Sequence, residues 1–261
     1  SRVLLKRNRV VITGVGVLAA NGTGKKQFWD TLCRGESGIA PITLCDVTEL
    51  PCKIAGEVKN FDPEEYLDGK IKPKRLSRTS QLAVAAAKMA LVDAGVESRD
   101  LERHHSVPLV VGISMGGMDY LETQIKKIPT KGAKYVSPSI IGVVDTATAG
   151  AIAEVLGIEA DIKTLSTTCV AGMDAIATAG EIIKAGQAEI AIAGGADAAI
   201  ETTIVAGLAA SKMLCSFKGD PRKASRPFDL QRSGGIVAEG SGFVVLESLE
   251  HARARGAEPY A

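Results

Sequence analysis

Residues 161–197 read DIKTLSTTCVAGMDAIATAGEIIKAGQAEIAIAGGAD: a β-prone segment, a cysteine, a helix of small residues and a second apolar segment. Residues 162–166 fit a strand and residues 170–184 a helix, so Cys169 falls at the turn between them. A thiol at the first turn of a helix meets the positive end of the helix dipole and unpaired backbone N–H groups. Both favour the thiolate, which is the reactive form. Ala171 and Gly172 leave little bulk beside the sulfur, so a substrate can approach. A free cysteine is more often simply buried; here the strand–turn–helix context argues for a nucleophile.

The rest of the chain continues this alternation. Residues 9–13 form a short apolar strand, followed by GVGVLAANG at 14–22, which reads as a turn. Residues 27–33 fit a helix, with Phe28 and Leu32 at i,i+4 spacing. Residues 35–73, rich in Gly, Pro and Asp, fit an irregular surface segment. A helix over 77–94 carries one small apolar stripe, Leu82, Ala83, Ala86, Ala87, Ala90 and Leu91, with Gly95 as its stop signal. Residues 107–113 are continuously apolar, as in a sheet covered on both faces. A helix at 140–156 ends at Gly157, and after strands 162–166 and 189–193 come a last strand at 242–246 and a charged helix at 249–255. Strands alternating with helices define an α/β fold with a mostly parallel sheet.

The 261 residues suit one large domain or two small ones, and at 46% hydrophobic and 23% charged they can build a core. A net charge of +1 provides no global field for nucleic acid. No apolar run reaches membrane-spanning length, and the first residues have no signal-peptide pattern. The five cysteines, at 33, 45, 52, 169 and 215, are odd in number and lack zinc spacing, which points to free thiols in a reducing cytoplasm and to no metal site.

Other motifs have plainer readings. Gly14-x-Gly16-x-x-Ala19 mimics a dinucleotide fingerprint, but Asn21-Gly22 interposes a turn before the helix, so a glycine-rich packing turn is preferred. His104 and His105 lie in a charged stretch and His251 in a charged helix, so none is an obvious base for Cys169. Lys70, Lys72, Lys74, Arg75 and Arg78 form a basic run that is either a solvated face or a dock for an acidic partner. Residues 225–229 (SRPFD) and 239–242 (EGSG) fit a structural loop leading into the last strand.

Together these segments resemble the elongating β-ketoacyl–acyl carrier protein synthases, condensing enzymes of the thiolase superfamily. The resemblance runs over residues 10–260 and rests on VVITGVGVLAANG at 10–22, FWDTLCRGESGI at 28–39 and GISMGG at 112–117. It is completed by STTCVAGMDAI at 166–176, IAIAGGAD at 190–197, SRPFD at 225–229 and AEGSGFVVLESLEHARARGA at 238–257. The sequence departs from the family pattern at Leu18-Ala19-Ala20, at Ala238 and at Ser233-Gly234-Gly235.

The resemblance implies the N-terminal half of a thiolase fold, a five-stranded, mostly parallel sheet with helices on both faces. Residues 1–261 would be the synthase N-terminal domain, with the C-terminal half, which in the family holds the two catalytic histidines, absent from the chain. Cys169 would carry the acyl group, Met115 would line the acyl tunnel, and Lys74 and Arg75 would contact acyl carrier protein. No cofactor is expected, because phosphopantetheine on the carrier presents the substrates. The strand before Cys169 would join two chains as a dimer. The implied reaction is acyl transfer to the cysteine, then decarboxylative Claisen condensation with malonyl–acyl carrier protein in fatty-acid or polyketide synthesis. Rival readings are a non-catalytic partner subunit that sets chain length, and a thiolase or priming synthase that uses coenzyme A thioesters.

Overall fold

A computed structural model describes residues 7–104, 106–143 and 146–261. The chain begins with β1 (Val10–Ala19), the two-residue β2 (Gly22–Thr23) and α1 (Lys25–Cys33). An irregular segment follows, holding β3 (Ala40–Pro41), β4 (Ile54–Ala55) and α2 (Glu64–Leu67). Next come α3 (Arg78–Ala94), α4 (Ser98–Leu101), β5 (Val107–Gly112), α5 (Met118–Lys131), α6 (Thr146–Leu156) and β6 (Ala160–Leu165). The chain continues through α7 (Ala171–Lys184), β7 (Ile190–Ala198), α8 (Thr202–Ala210), β8 (Glu239–Ser248) and α9 (Leu249–Ala254).

The main sheet has the order β2-β1-β8-β7-β5-β6. Its five long strands match the expected five, and β2 is an added two-residue edge. β5 is parallel to both β6 and β7, whereas β8 runs antiparallel to β7 and β1. The sheet is therefore mixed, with β8 alone reversed among the long strands.

Helices cover both faces. Along β5, Leu109 and Val111 point to one face and pack with α3 and α6 around Leu82, Ile152 and Phe243. Val110, between them, points to the other face and packs with Ala175, Ala179 and Ile183 of α7. This period-two alternation, buried on both sides, explains the continuous apolar run. Burying a side chain the size of Phe243 is worth about 1.5–3 kcal/mol.

The alanine stripe of α3 has a specific partner. A Cβ on Gly14 would lie 2.2 Å from the Ala90 carbonyl oxygen, and one on Gly16 1.9 Å from that of Ala86. Glycines and alanines together let β1 lie directly on α3. GVGVLAANG is thus not a turn, as the sequence reading had it: strand continues to Ala19, and only Ala20 and Asn21 turn. The glycines serve helix–strand approach and not a dinucleotide.

The helix expected over 77–94 with Gly95 as its stop is present as α3, while other helix boundaries differ from expectation. α3 starts where Ser77 caps it by accepting from Ser80 N–H, and ends at a left-handed Gly95. Of the helix expected over 140–156, the structure describes α6 from Thr146 and a 3₁₀ segment at Pro138–Val143, and residues 144–145 lie outside the described residues. α5, with Pro129 inside it, and α8 were not anticipated.

Candidate active site

Cys169 sits at the strand-to-helix turn where the sequence placed it. β6 ends at Leu165, a 3₁₀ turn spans Thr168–Val170, and α7 begins at Ala171. Cys169 is exposed. Thr168 before it holds φ +57, a left-handed conformation that is strained for a β-branched residue. Thr167 Oγ1 donates to the Asp174 carboxylate at 2.6 Å, bridging this turn to the first turn of α7.

Glycines let the helix start sink onto the sheet. A Cβ on Gly112, the last residue of β5, would lie 2.2 Å from the Ala171 carbonyl carbon, and one on Gly195 2.9 Å from Gly172 Cα. The result is an open cleft of about 390 Å³ walled by Gly112, Thr168, Cys169, Gly172, Gly195, Asp197 and Gly240–Gly242, with Met173 and Ile176 at its apolar side. A larger cleft of about 600 Å³ lies under the 225–235 loop beside Lys212, Arg226 and Arg232, but no cysteine lines it.

Met115 does not line this cleft directly. It is half-buried against the apolar cluster of Ala199, Ile200 and Val205. Its loop is nevertheless tied to the cleft. The Asp197 carboxylate accepts from the backbone N–H of Ser114 at 2.9 Å, Met115 at 2.6 Å and Gly116 at 3.3 Å. Sequence reasoning gave Asp197, Thr167 and Asp174 no role. The available signal was an acidic residue closing an apolar strand in GGAD.

The basic run divides. Lys74 and Arg75 are exposed on the 3₁₀ turn Pro73–Arg75. Lys70 instead donates to the Val155 carbonyl at 2.7 Å, near the C-terminal end of α6. Arg78 turns inward and pairs bidentately with the fully buried Glu239, at 2.6 and 2.7 Å. Burial alone would lower the Arg78 pKa, but the Glu239 carboxylate outweighs it and holds the guanidinium charged.

Neither His104 nor His251 lines the Cys169 cleft. His251 is mostly buried, not a surface residue, and its Nδ1 pairs with the buried Glu247, while the His104 ring lies edge-on to it at 5.6 Å. His105 lies outside the described residues. Burial pushes the Glu247 carboxyl up, but hydrogen bonds from Arg255, Thr13 and His251 prevail and hold it below the usual glutamate range. Among the other cysteines, burial pushes the Cys45 and Cys52 thiols up, and Cys215 is buried with its sulfur 2.9 Å from Ser233 Oγ. Cys33, the last residue of α1, is exposed but lines no part of the Cys169 cleft.

Cys169 thus lies on a strained strand-to-helix turn, over a glycine-walled cleft in a mixed five-strand core. The chain belongs to the family described as beta-ketoacyl synthase, N-terminal domain, whose model matches residues 7–252. It is 37% identical over 257 residues to the 3-oxoacyl-[acyl-carrier-protein] synthase 2 of Synechocystis, covering 98% of this chain and 61% of that protein. The protein of the same description from Vibrio cholerae is 35% identical, with 62% of its length covered. The chain thus spans about three fifths of these curated relatives. Among solved structures, the ishigamide ketosynthase/chain length factor superposes with a TM-score of 0.87 at 33% identity, over 98% of this chain and 62% of that one. A type II polyketide ketosynthase, solved with its acyl-carrier protein, superposes at 0.83 and 28% identity, over 98% and 62%.

Proposed function

We propose that this chain carries the nucleophile half of a β-ketoacyl–acyl carrier protein synthase. The observation behind this reading is the exposed Cys169 on its strained elbow, above backbone that only glycine permits. In the first half-reaction the Cys169 thiolate attacks the carbonyl of an acyl thioester. The new C–S bond forms as the old one breaks, and the carrier thiolate leaves and takes up a proton. In the second, a malonyl thioester loses carbon dioxide and its carbanion attacks the acyl carbonyl on Cys169. A C–C bond forms, the Cys169 thiolate is released, and the β-ketoacyl thioester departs. Splitting the reaction in this way replaces one high barrier by two lower ones. The Cys169 backbone N–H supplies one oxyanion donor.

The histidines for decarboxylation come from the C-terminal half, since His104 and His251 are committed to each other and to Glu247. Met115 bounds the acyl chain through the loop that Asp197 holds. Lys74 and Arg75, exposed and adjacent, dock the acidic carrier protein that brings the substrates on phosphopantetheine, and no further cofactor is needed. β6 lies at the sheet edge with Ile162 38% exposed, which suits antiparallel pairing with a second copy. Free thiols suit a cytoplasmic enzyme. Among the described residues, no helix is long and apolar enough to cross a membrane.

The likeness to a ketosynthase/chain length factor keeps one rival in play, a non-catalytic partner subunit. In the natural full-length protein, Cys169→Ala abolishes condensation on the present reading, and retained activity refutes it. Lys74→Glu with Arg75→Glu raises KM for acyl carrier protein, and wild-type binding weakens as salt rises. An unchanged KM returns that pair to a solvated face.

A further inference from the structure

We propose that Asp197 is a positioning residue that fixes the 114–116 loop beside Cys169 and thereby sets which acyl chains the site accepts. This deepens the synthase reading and rests on it. Asp197 stands at the end of β7, where Gly195 pairs in register with Gly112 of β5, and it lines the cleft with Cys169. Its carboxylate is spread over three successive N–H groups: Oδ2 takes Ser114, and Oδ1 takes Met115 and Gly116. Gly116, at φ +60, turns the chain so that these N–H groups converge, forming an anion nest with a protein carboxylate as its occupant.

The same loop is gripped from behind. The fully buried Thr79 donates from Oγ1 to the Gly116 carbonyl at 2.7 Å and accepts from Ala198 N–H at 3.0 Å. Residue 198 directly follows Asp197, so loop and strand end are locked as one unit. On the far side, Met115 packs against the apolar cluster of Ala199, Ile200 and Val205. The loop therefore divides the cleft from apolar surroundings, and a long acyl chain reaches them by displacing it. The stiffness of that division depends on the carboxylate. Asparagine has one acceptor oxygen and one donor amide, yet three donors face it, so an N–H is left against an NH₂. Glutamate keeps both acceptors but displaces them by one methylene.

The test uses the natural full-length protein with Asp197→Asn and Asp197→Glu. Hydrogen exchange at residues 114–116 is followed by mass spectrometry. Acylation of Cys169 is followed by intact mass, with straight-chain acyl carrier thioesters from butyryl to myristoyl. In Asp197→Asn, exchange of these amides accelerates by about tenfold or more, as expected for losing charge-assisted hydrogen bonds. The acylation profile broadens toward longer chains, through KM for the long substrates rather than a uniform fall in rate. Asp197→Glu gives a smaller shift in the same direction, and it carries the test if circular dichroism finds the Asn variant unfolded. Unchanged loop exchange with an unchanged length profile overturns the proposal, as does a rate loss equal for all chain lengths. If wild type takes no acyl group at all, the synthase reading fails, and the length-selecting role falls with it. Exchange of the loop then reports separately on whether Asp197 anchors it.

Discussion

Thr167 and Asp174 clasp the turn that carries Cys169: the threonine hydroxyl donates to the carboxylate at 2.6 Å, with Cys169 and the left-handed Thr168 between them in the chain. A strained conformation persists only where its surroundings over-determine it. This clasp, the glycine contacts beneath and the Ala171 N–H bond to the Thr168 carbonyl are among the restraints on the turn.

Thr167→Val in the natural full-length protein removes the clasp without removing bulk. The bond is solvent-exposed, with Thr167 exposed and Asp174 half-buried, so global stability falls by less than about 1 kcal/mol. The local effect is larger, with the rate of iodoacetamide reaction at Cys169 changing by roughly three- to tenfold as elbow strain relaxes. Thr167→Ser restores the wild-type rate. Equal rates in all three proteins would assign the bond to the surface alone.

Gly112→Ala tests the close approach of sheet and helix. Its Cβ would meet the Ala171 carbonyl carbon and oxygen at 2.2 Å, and backbone at both positions has little room to yield. Urea unfolding should give a loss of about 1–3 kcal/mol or more. Gly150→Ala, within α6 and with nothing near its Cβ, is the control and should gain about 0.5–1 kcal/mol. A neutral Gly112→Ala would mean that α7 can ride up off β5 at no cost.

Glu201 gives the chain a pH dependence. Burial, then the neighbouring Glu122 and Asp119 carboxylates, push its pKa up to about 7, against the opposing pull of Lys126. A carboxyl whose folded pKa exceeds its unfolded value stabilises fully below the unfolded value, and the contribution is lost as pH rises through the folded one. Stability should therefore decline from about pH 4.5 to about pH 7. Glu201→Gln should flatten this decline and raise Tm at pH 8 above wild type. A parallel pH profile in the variant would remove Glu201 from the account.

The α/β class and the Cys169 elbow were legible in the sequence because periodicity and small-residue patterning are local. The continuous apolar run at β5 reported burial on both faces, and the strand–cysteine–helix order fixed the turn. Other features depend on distant partners. Gly14 and Gly16 look like a turn until α3 is laid across them at the Ala86 and Ala90 carbonyls. Arg78 looks like part of a solvated basic run until Glu239, far along the chain, is buried beneath it. Asp197 looks like a strand terminus, and its role depends on three N–H groups that the β5–β7 pairing brings alongside. α5 escaped notice because Pro129 lies inside it, although Met118, Leu121, Ile125 and Ile128 fall at helical spacing.

The central claim is that Cys169 accepts the acyl group, and peptide mass spectrometry of the natural full-length protein after brief incubation with acyl–acyl carrier protein tests it directly. The account predicts one acyl adduct, on the peptide containing Cys169, lost in Cys169→Ala and absent from the exposed Cys33. A folded protein that takes no acyl group on Cys169, or takes it on another cysteine, would contradict it.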